Sequence, residues 1–242
     1  MPDPAFEHPR LAAVYDAFDD DRSDLDVYLA IARELGAQRV LDVGCGTGTF
    51  ALLLAREGFE VTAIDPAQAS VDVARSKPDA RRVRWIVGDA LVLPAVEVDL
   101  ATMTGNVAQA ITEPQVWERT LTGVHQALRP NGYLVFETRD PASRDWEKWT
   151  PDQTYQVVDV QGMGEVEKWI ELTEVSLPLV RFRATFVFRA SGDVLTSAST
   201  LRFRQRAELE GQLARLGYIV DEVRDAPDRP GREFVFFARR SG

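Results

Sequence analysis

Between residues 39 and 137, short apolar runs alternate with segments whose apolar residues recur at helical spacing. Arg39–Val43, 60–64, Val83–Val87, Val98–Met103 and 133–137 read as strands. The segments 49–57, 67–76 and 114–128 read as helices. They stop at Gly58, at Lys77-Pro78 and at Arg129-Pro130-Asn131-Gly132. Strands alternating with helices predict an α/β fold with a mostly parallel sheet covered on both faces. Upstream, Leu11, Val14, Tyr15 and Phe18, then Leu25, Tyr28, Leu29 and Ala32, recur at helical spacing on either side of the acidic break Asp19-Asp20-Asp21. Residues 1–35 are therefore expected to form an N-terminal helical cap, with His8 in a loose terminus.

The rhythm changes near residue 141. Segments 155–160 and 165–175 flank Gln161-Gly162-Met163-Gly164, and segments 179–189 and 194–204 flank Ala190-Ser191-Gly192-Asp193, the pattern of two hairpins in series. In the third of these strands Val180, Phe182, Ala184, Phe186 and Phe188 share one face, while Arg181, Arg183, Thr185 and Arg189 share the other. Residues 141–200 are read as an antiparallel β insertion. After it a helix over 205–216 and strands over 218–224 and 233–239 return to the earlier pattern, so the core is expected to comprise 36–140 and 201–242.

Composition narrows the function classes. The formal net charge is −10, which argues against a phosphate-backbone partner, because such binding depends on Lys and Arg. The chain has one cysteine, Cys45, so neither an intramolecular disulfide nor a zinc site is expected, and no metal site is read. The N-terminus lacks the basic-then-apolar order of a signal peptide, and no apolar run approaches the ~20 residues of a membrane span. A cytoplasmic protein without a membrane or nucleic-acid partner is the expectation.

The most informative stretch is 40–50, Val-Leu-Asp-Val-Gly-Cys-Gly-Thr-Gly-Thr-Phe, where the first strand hands over to the first helix of the α/β part. Glycines at such a turn keep it tight and let a ligand approach the backbone. A dinucleotide-binding turn would place its last glycine at position 49, which is Thr. The pattern acid-x-Gly-x-Gly-x-Gly instead resembles the first motif of the class I S-adenosylmethionine-dependent methyltransferases. The resemblance continues in order: Asp65-Pro66 at the end of the second strand, Gly88-Asp89-Ala90 after the third, Thr104-Gly105-Asn106 after the fourth, and Leu128-Arg129-Pro130-Asn131-Gly132 before the fifth. It covers residues 36–140 closely and the last 40 residues loosely. It implies a doubly wound, seven-stranded Rossmann-like sheet; the β insertion lies outside the common core and resembles only generically the sheet that small-molecule methyltransferases add after strand five.

The resemblance also implies roles. Backbone groups of Gly44, Cys45, Gly46 and Gly48 would line the tail and ribose of the cofactor, S-adenosyl-L-methionine. Asp65, followed by Pro66, would accept from both ribose hydroxyls, as two carboxylate oxygens permit; a turn residue before proline is the other reading of that position. Asp89 would accept from the adenine amino group with Ala90 and Leu91 beside the ring, or serve as a cap. Asp42 would hold the glycine loop and reach the cofactor's ammonium through water. Thr104, Asn106 and Gln109 would face the cofactor's tail or the acceptor, with a helix cap as the alternative for Asn106.

Catalytic candidates are Tyr15, on a segment that would fold over the cofactor, Asn106, and Arg139 beside Asp140, Trp146 and Trp149. A core tyrosine and a packed linker explain Tyr15 and Arg139 as well. Cys45 has no activating histidine near it in sequence and is read as a small loop residue. The predicted activity is methyl transfer to nitrogen or oxygen of a small-molecule acceptor, driven by proximity and orientation. The insertion would form a lid over the acceptor, contribute little to cofactor binding, and offer a surface for a homodimer. A non-catalytic cofactor-binding module that uses the insertion for a partner protein is the alternative, and a nucleotide-dependent oxidoreductase a more distant one.

Overall fold

A computed structural model gives the structure of the chain and describes residues 2–19, 21–90, 93, 96–227 and 229–242. Asp20 of the acidic break and Leu91 beside Ala90 lie outside the described residues. Seven strands form the main sheet: β1 (Arg39–Val43), β2 (Glu60–Asp65), β3 (Val83–Val87), β4 (Val98–Met103), β5 (Leu128–Arg139), β10 (Tyr218–Asp225) and β11 (Glu233–Arg240). Their order is β10-β11-β5-β4-β1-β2-β3. β1, β2, β3, β4 and β5 pair in parallel, and β11 is antiparallel to both β5 and β10. The sheet runs one way from β1 through β2 to β3, then resumes on the other side of β1 with β4. Such a reversal opens a crevice at the carboxyl ends of the strands.

Central parallel strands are buried on both faces, which is why β1 and β4 read as near-continuous apolar runs. One face packs Leu41, Ile64, Met103, Leu134 and Phe136 under α7 (Pro114–Ala127) and α9 (Arg206–Arg215). The other packs Val40, Val61, Leu100, Val135 and Phe237 under α3 (Asp24–Glu34) and α4 (Thr49–Arg56). Gly123 sits mid-helix in α7 because a Cβ there would lie 2.4 Å from the Ala90 carbonyl oxygen.

Two sequence expectations are corrected. The helix read over 114–128 does not include Leu128 and the fifth strand does not wait for Tyr133: β5 begins at Leu128, which pairs with Val98, and the register shifts before Tyr133 pairs with Leu100. The bulged entry puts Asn131 at φ +64°. The N-terminus is not loose either. It forms α1 (Pro4–Glu7) and α2 (Pro9–Val14), with the His8 ring accepting from the Arg10 N–H. The Ala5 N–H donates to the Ser197 hydroxyl at 2.9 Å, and the Ser70 hydroxyl donates to the Phe6 carbonyl at 2.9 Å.

After β5 come three short helical segments, Pro141–Ser143, Asp145–Lys148 and α8 (Pro151–Thr154), and then an antiparallel meander. Its strands are β6 (Gln156–Val160), β7 (Gly164–Ser176), β8 (Leu179–Phe188) and β9 (Asp193–Arg202), paired in that order. The inner face of the meander, with Val166, Ala184, Phe186 and Phe188, packs on Leu11, Val14 and Phe18 of the N-terminal segment. Its outer face pairs Arg183 with Glu171, and Arg189 with Glu165 and Glu167. The alternation seen in the sequence thus separates a core face from a solvated one. The core face lies mainly on the helical cap, and Phe182 packs on Trp149.

Candidate active site

The crevice is floored by the glycine turn between β1 and α4. The N–H groups of Gly44 and Cys45 donate to the Ile64 carbonyl, at 2.8 and 3.2 Å, fastening the turn to the end of β2. Gly44, Gly46 and Gly48 have φ values of +73°, +52° and +81°, in the region that favours glycine. Their surroundings differ. A Cβ on Gly44 would lie 2.4 Å from Val107, and one on Gly48 would lie 2.4 Å from the Trp85 ring, whereas one on Gly46 would meet nothing within 4 Å. Two glycines therefore serve packing, and the middle one borders open space.

Asp65 ends β2 and is nearly buried. Its Oδ1 accepts from the Ala67 N–H and its Oδ2 from the Gly46 N–H, both at 2.8 Å. Each oxygen keeps a second lone pair for another donor. Burial raises the carboxyl's pKa, and the two amide donors oppose that shift. Asp42, under the turn, accepts from the Thr102 hydroxyl at 3.0 Å, while its Oδ2 is buried without a partner. Burial pushes its pKa up to about 7, offset by Thr102 and reinforced by Asp65. Around this turn, Pro66 and Asp89 are exposed, Thr104 is half-buried and Ala90 is buried. Burial, with Asp42 and Asp65 nearby, pushes the Cys45 thiol well up, which removes the thiolate character a nucleophile needs.

The cap reaches the turn through a residue the sequence reading passed over. The Asp16 carboxylate accepts from the Thr47 hydroxyl at 2.6 Å and pairs with the Lys77 ammonium at 2.5 Å. Lys77 in turn donates to the Thr49 hydroxyl at 3.2 Å. Tyr15, next to it, is half-buried against Phe6, with ring centroids 5.6 Å apart, and burial raises its phenol pKa.

Beyond β4, Asn106 adopts φ +62° at the start of α6 (Val107–Ala110), and its side chain makes no capping bond. Its N–H donates to Glu137 of β5 at 2.9 Å, and its Oδ1 is buried without a partner. Glu137 also accepts from the Tyr28 hydroxyl of α3. Burial, and then the neighbouring Glu233, push the Glu137 carboxyl up to about 7. Its signal in sequence was a lone acid in the apolar run of β5, but the partners are far away in the chain.

Arg139 ends β5. Its Nη1 donates to the Gln109 Oε1 at 3.3 Å, and its guanidinium lies 5.8 Å from the Trp149 ring. Arg204, fully buried, donates to the carbonyls of Ala108 and Ile111 at 2.7 and 2.6 Å, gripping the end of α6, and lies 4.7 Å from the Trp117 ring. The crevice thus brings together Asp42, Gly44, Gly46, Gly48 and Asp65, with Thr104, Asn106 and Arg139 at the neighbouring strand ends. His8 caps α2, and His125 lies against Gly217 and Tyr218. Among the described residues no group of His, Cys, Asp and Glu is arranged to hold a metal ion, and no helix is long and apolar enough to cross a membrane.

Residues 40–132 match the family model described as a methyltransferase domain. The cypemycin N-terminal methyltransferase of Streptomyces sp is 32% identical over 119 residues, 49% of this chain and 49% of that protein. The malonyl-[acyl-carrier protein] O-methyltransferase of Serratia marcescens is 27% identical over 188 residues, covering 72% of this chain and 69% of that one. The chain spans about half the length of curated relatives such as the Streptomyces enzyme. The crystal structure of an S-adenosylmethionine-dependent methyltransferase from Clostridium acetobutylicum ATCC 824 matches with a TM-score of 0.78 at 17% identity, covering 97% of this chain and 99% of that one. That likeness is one of fold, and it extends through the β insertion.

Proposed function

We propose that the chain is a class I S-adenosylmethionine-dependent methyltransferase that transfers a methyl group to nitrogen or oxygen of a small-molecule acceptor held under the β insertion. The observation that carries this reading is the crevice at the glycine turn. It combines an open position at Gly46, free lone pairs on Asp65 and an orphaned, buried oxygen on Asp42. A cationic ammonium suits the Asp42 oxygen, and a pair of hydroxyls suits Asp65. S-adenosylmethionine, when bound, supplies the sulfonium methyl and its good leaving group.

The chain's own residues then have positional work. Gly44, Gly46 and Gly48 shape the turn, Asp65 and Asp42 hold the cofactor's polar ends, and Asp89 with Ala90 lies at the end of β3 for its base. Asp16 and Thr47 fasten the cap over the turn, which excludes water. Glu137 fixes the Asn106 turn beside the acceptor. Holding two reactants in line supplies much of the barrier lowering in such a transfer. Cys45 takes no covalent part.

The net charge of −10 supports a small acceptor rather than a nucleic acid. A homodimer through the insertion belongs to the same proposal, since its outer face leaves Tyr155, Val157 and Val194 exposed; sedimentation of the purified chain tests it. The deciding experiment is calorimetric titration with S-adenosylhomocysteine. Asp65→Ala should weaken binding by about 1–3 kcal/mol, the scale of hydrogen bonds to a charged partner. Equal affinity in wild type and mutant would overturn the assignment. Release of S-adenosylhomocysteine in the presence of amine, carboxylate and phenol acceptors then reports transfer.

A further inference from the structure

The geometry points to Arg139 and Gln109 as a receptor for a negatively charged group, carboxylate or phosphate, on the methyl acceptor, an inference that rests on the methyl-transfer reading above. The β5–β11 ladder sets Arg139 directly opposite Glu233. The expected ion pair is not made. Glu233 pairs with Arg229 at 3.2 Å, and among the described residues no carboxylate lies within ion-pairing distance of the Arg139 guanidinium.

The acids near Arg139 each have another partner, although the Glu233 Oε1 is buried without a hydrogen bond. Asp145 pairs with Lys148 at 3.2 Å and with Arg232 at 3.6 Å. Glu137 accepts from Tyr28 and from the Asn106 N–H, and burial raises its pKa to about 7. Among the described residues Arg139 therefore makes no close ion pair, although Glu233, Glu137 and Asp145 act on its charge from farther away. Its guanidinium has five N–H donors, and the structure gives it one acceptor, the Gln109 Oε1. Burial lowers its pKa, and the Glu233, Glu137 and Asp145 carboxylates oppose that shift without overcoming it.

Gln109 supplies the second half. It is fully buried on α6, its Oε1 accepts from both the backbone N–H and the Nη1 of Arg139, and its Nε2 is buried without a partner. Buried polar atoms are rarely left unpaired, so an orphan donor beside a spare guanidinium calls for an acceptor from outside the chain. Arg204 grips the carbonyls of Ala108 and Ile111 on either side, so the carboxamide is held in place in advance. Trp149 lies beside the guanidinium and packs on Phe182 at 5.0 Å between ring centroids, offering an apolar wall for the body of such an acceptor. A guanidinium with a neighbouring amide suits the paired oxygens of a carboxylate or phosphate. Lys168, also on the inner face of the insertion, differs: its ammonium lies 5.1 Å from the Phe18 ring and 5.9 Å from the Phe186 ring, so two ring faces attend it.

The test titrates benzoate, benzamide and phenyl phosphate into protein saturated with S-adenosylhomocysteine and reads the indole N–H resonances. Benzoate or phenyl phosphate should bind at least tenfold more tightly than benzamide, and the preferred one of the two identifies the anion. Arg139→Gln should remove that preference while S-adenosylhomocysteine affinity stays within threefold. Gln109→Leu, which leaves the guanidinium in place, should weaken the anion at least threefold. Equal binding of benzoate, phenyl phosphate and benzamide by wild type, no binding of any of them, or a full anion preference in Arg139→Gln would each overturn the inference. The contrast in wild type decides the matter even if a variant fails to fold. A wild type that does not bind S-adenosylhomocysteine would instead count against the methyl-transfer reading, and the anion contrast is measured on the free protein regardless.

Discussion

The N–H of Asn106 donates to the carboxyl of Glu137 at 2.9 Å, joining the left-handed turn after β4 to the end of β5. This bond holds the loop proposed to face the acceptor, and it depends on a group whose pKa is raised to about 7. The Glu137 pKa rises from 4.5 to about 7, and that of Asp42 from 3.8 to about 7. Both hold a proton more firmly in the folded chain than in the unfolded one. Between those values the folded state binds more protons, so stability should fall as pH rises through this window and level off above it. Urea unfolding at pH 5, 6, 7 and 8 measures the slope. Glu137→Gln keeps an acceptor for the Asn106 N–H and should flatten that slope; a slope unchanged in the mutant would show that Glu137 is not one of its sources.

The three glycines of the turn should separate under substitution. Gly48→Ala drives a Cβ to 2.4 Å from the Trp85 ring in addition to its unfavourable φ, so it should lose about 2–4 kcal/mol of stability. Gly46→Ala meets nothing and carries only the left-handed penalty, roughly 1–2 kcal/mol. Yet Gly46→Ala should lose more S-adenosylhomocysteine affinity than its melting point implies, because its methyl fills the space where the ligand would lie. Paired melting curves and calorimetry check this. A mutant that binds normally would mean that the space beside Gly46 is not the cofactor's.

Asp42 leads to a proton-linked prediction. If its orphaned oxygen takes up the cofactor's ammonium, directly or through water, binding will lower its pKa from about 7. Binding of S-adenosylhomocysteine at pH 6.5 should then release a fraction of a proton. Calorimetry in two buffers of different ionisation enthalpy reads the release, and Asp42→Asn should remove it. Zero release in wild type would separate Asp42 from the ligand.

The α/β core was legible because parallel strands buried on both faces leave apolar runs, and because the turn at 44–48 cannot be built without glycine at its positive φ values. The start of β5 was not. Leu128 becomes strand by pairing with Val98, a tertiary event that the local helix-stop signal of Arg129-Pro130-Asn131-Gly132 does not announce. The ties that organise the site were hidden for the same reason. Asp16 meets Thr47 across 31 positions, and Tyr28 meets Glu137 across 109. Neither spacing is a periodicity, so nothing local announces it. The order of the N-terminus was likewise invisible, since it is imposed by Ser197 and Ser70.

Those long-range ties change the expected effect of removing the insertion. From sequence, residues 145–199 should be dispensable for cofactor binding, because the glycine turn, Asp65 and Asp89 all precede them. In the structure, the inner face of the meander is the surface on which Leu11, Val14 and Phe18 are buried. Asp16 lies between Val14 and Phe18, and its carboxylate holds Thr47 of the turn. Uncovering those three side chains forfeits about 1.5–3 kcal/mol for each fully buried one, which should release the cap from the turn. Replacing 145–199 with a short Gly/Ser linker should therefore weaken S-adenosylhomocysteine by more than tenfold, above about 1.4 kcal/mol. Phe186→Ala is the milder version. It removes the ring that meets Phe18 edge-on at 6.0 Å and should loosen the cap without removing the lid. Circular dichroism and melting curves must show that both proteins are folded. A folded deletion that keeps its affinity within tenfold would return the insertion to an independent lid, and would mean that Asp16 holds the turn without support from above.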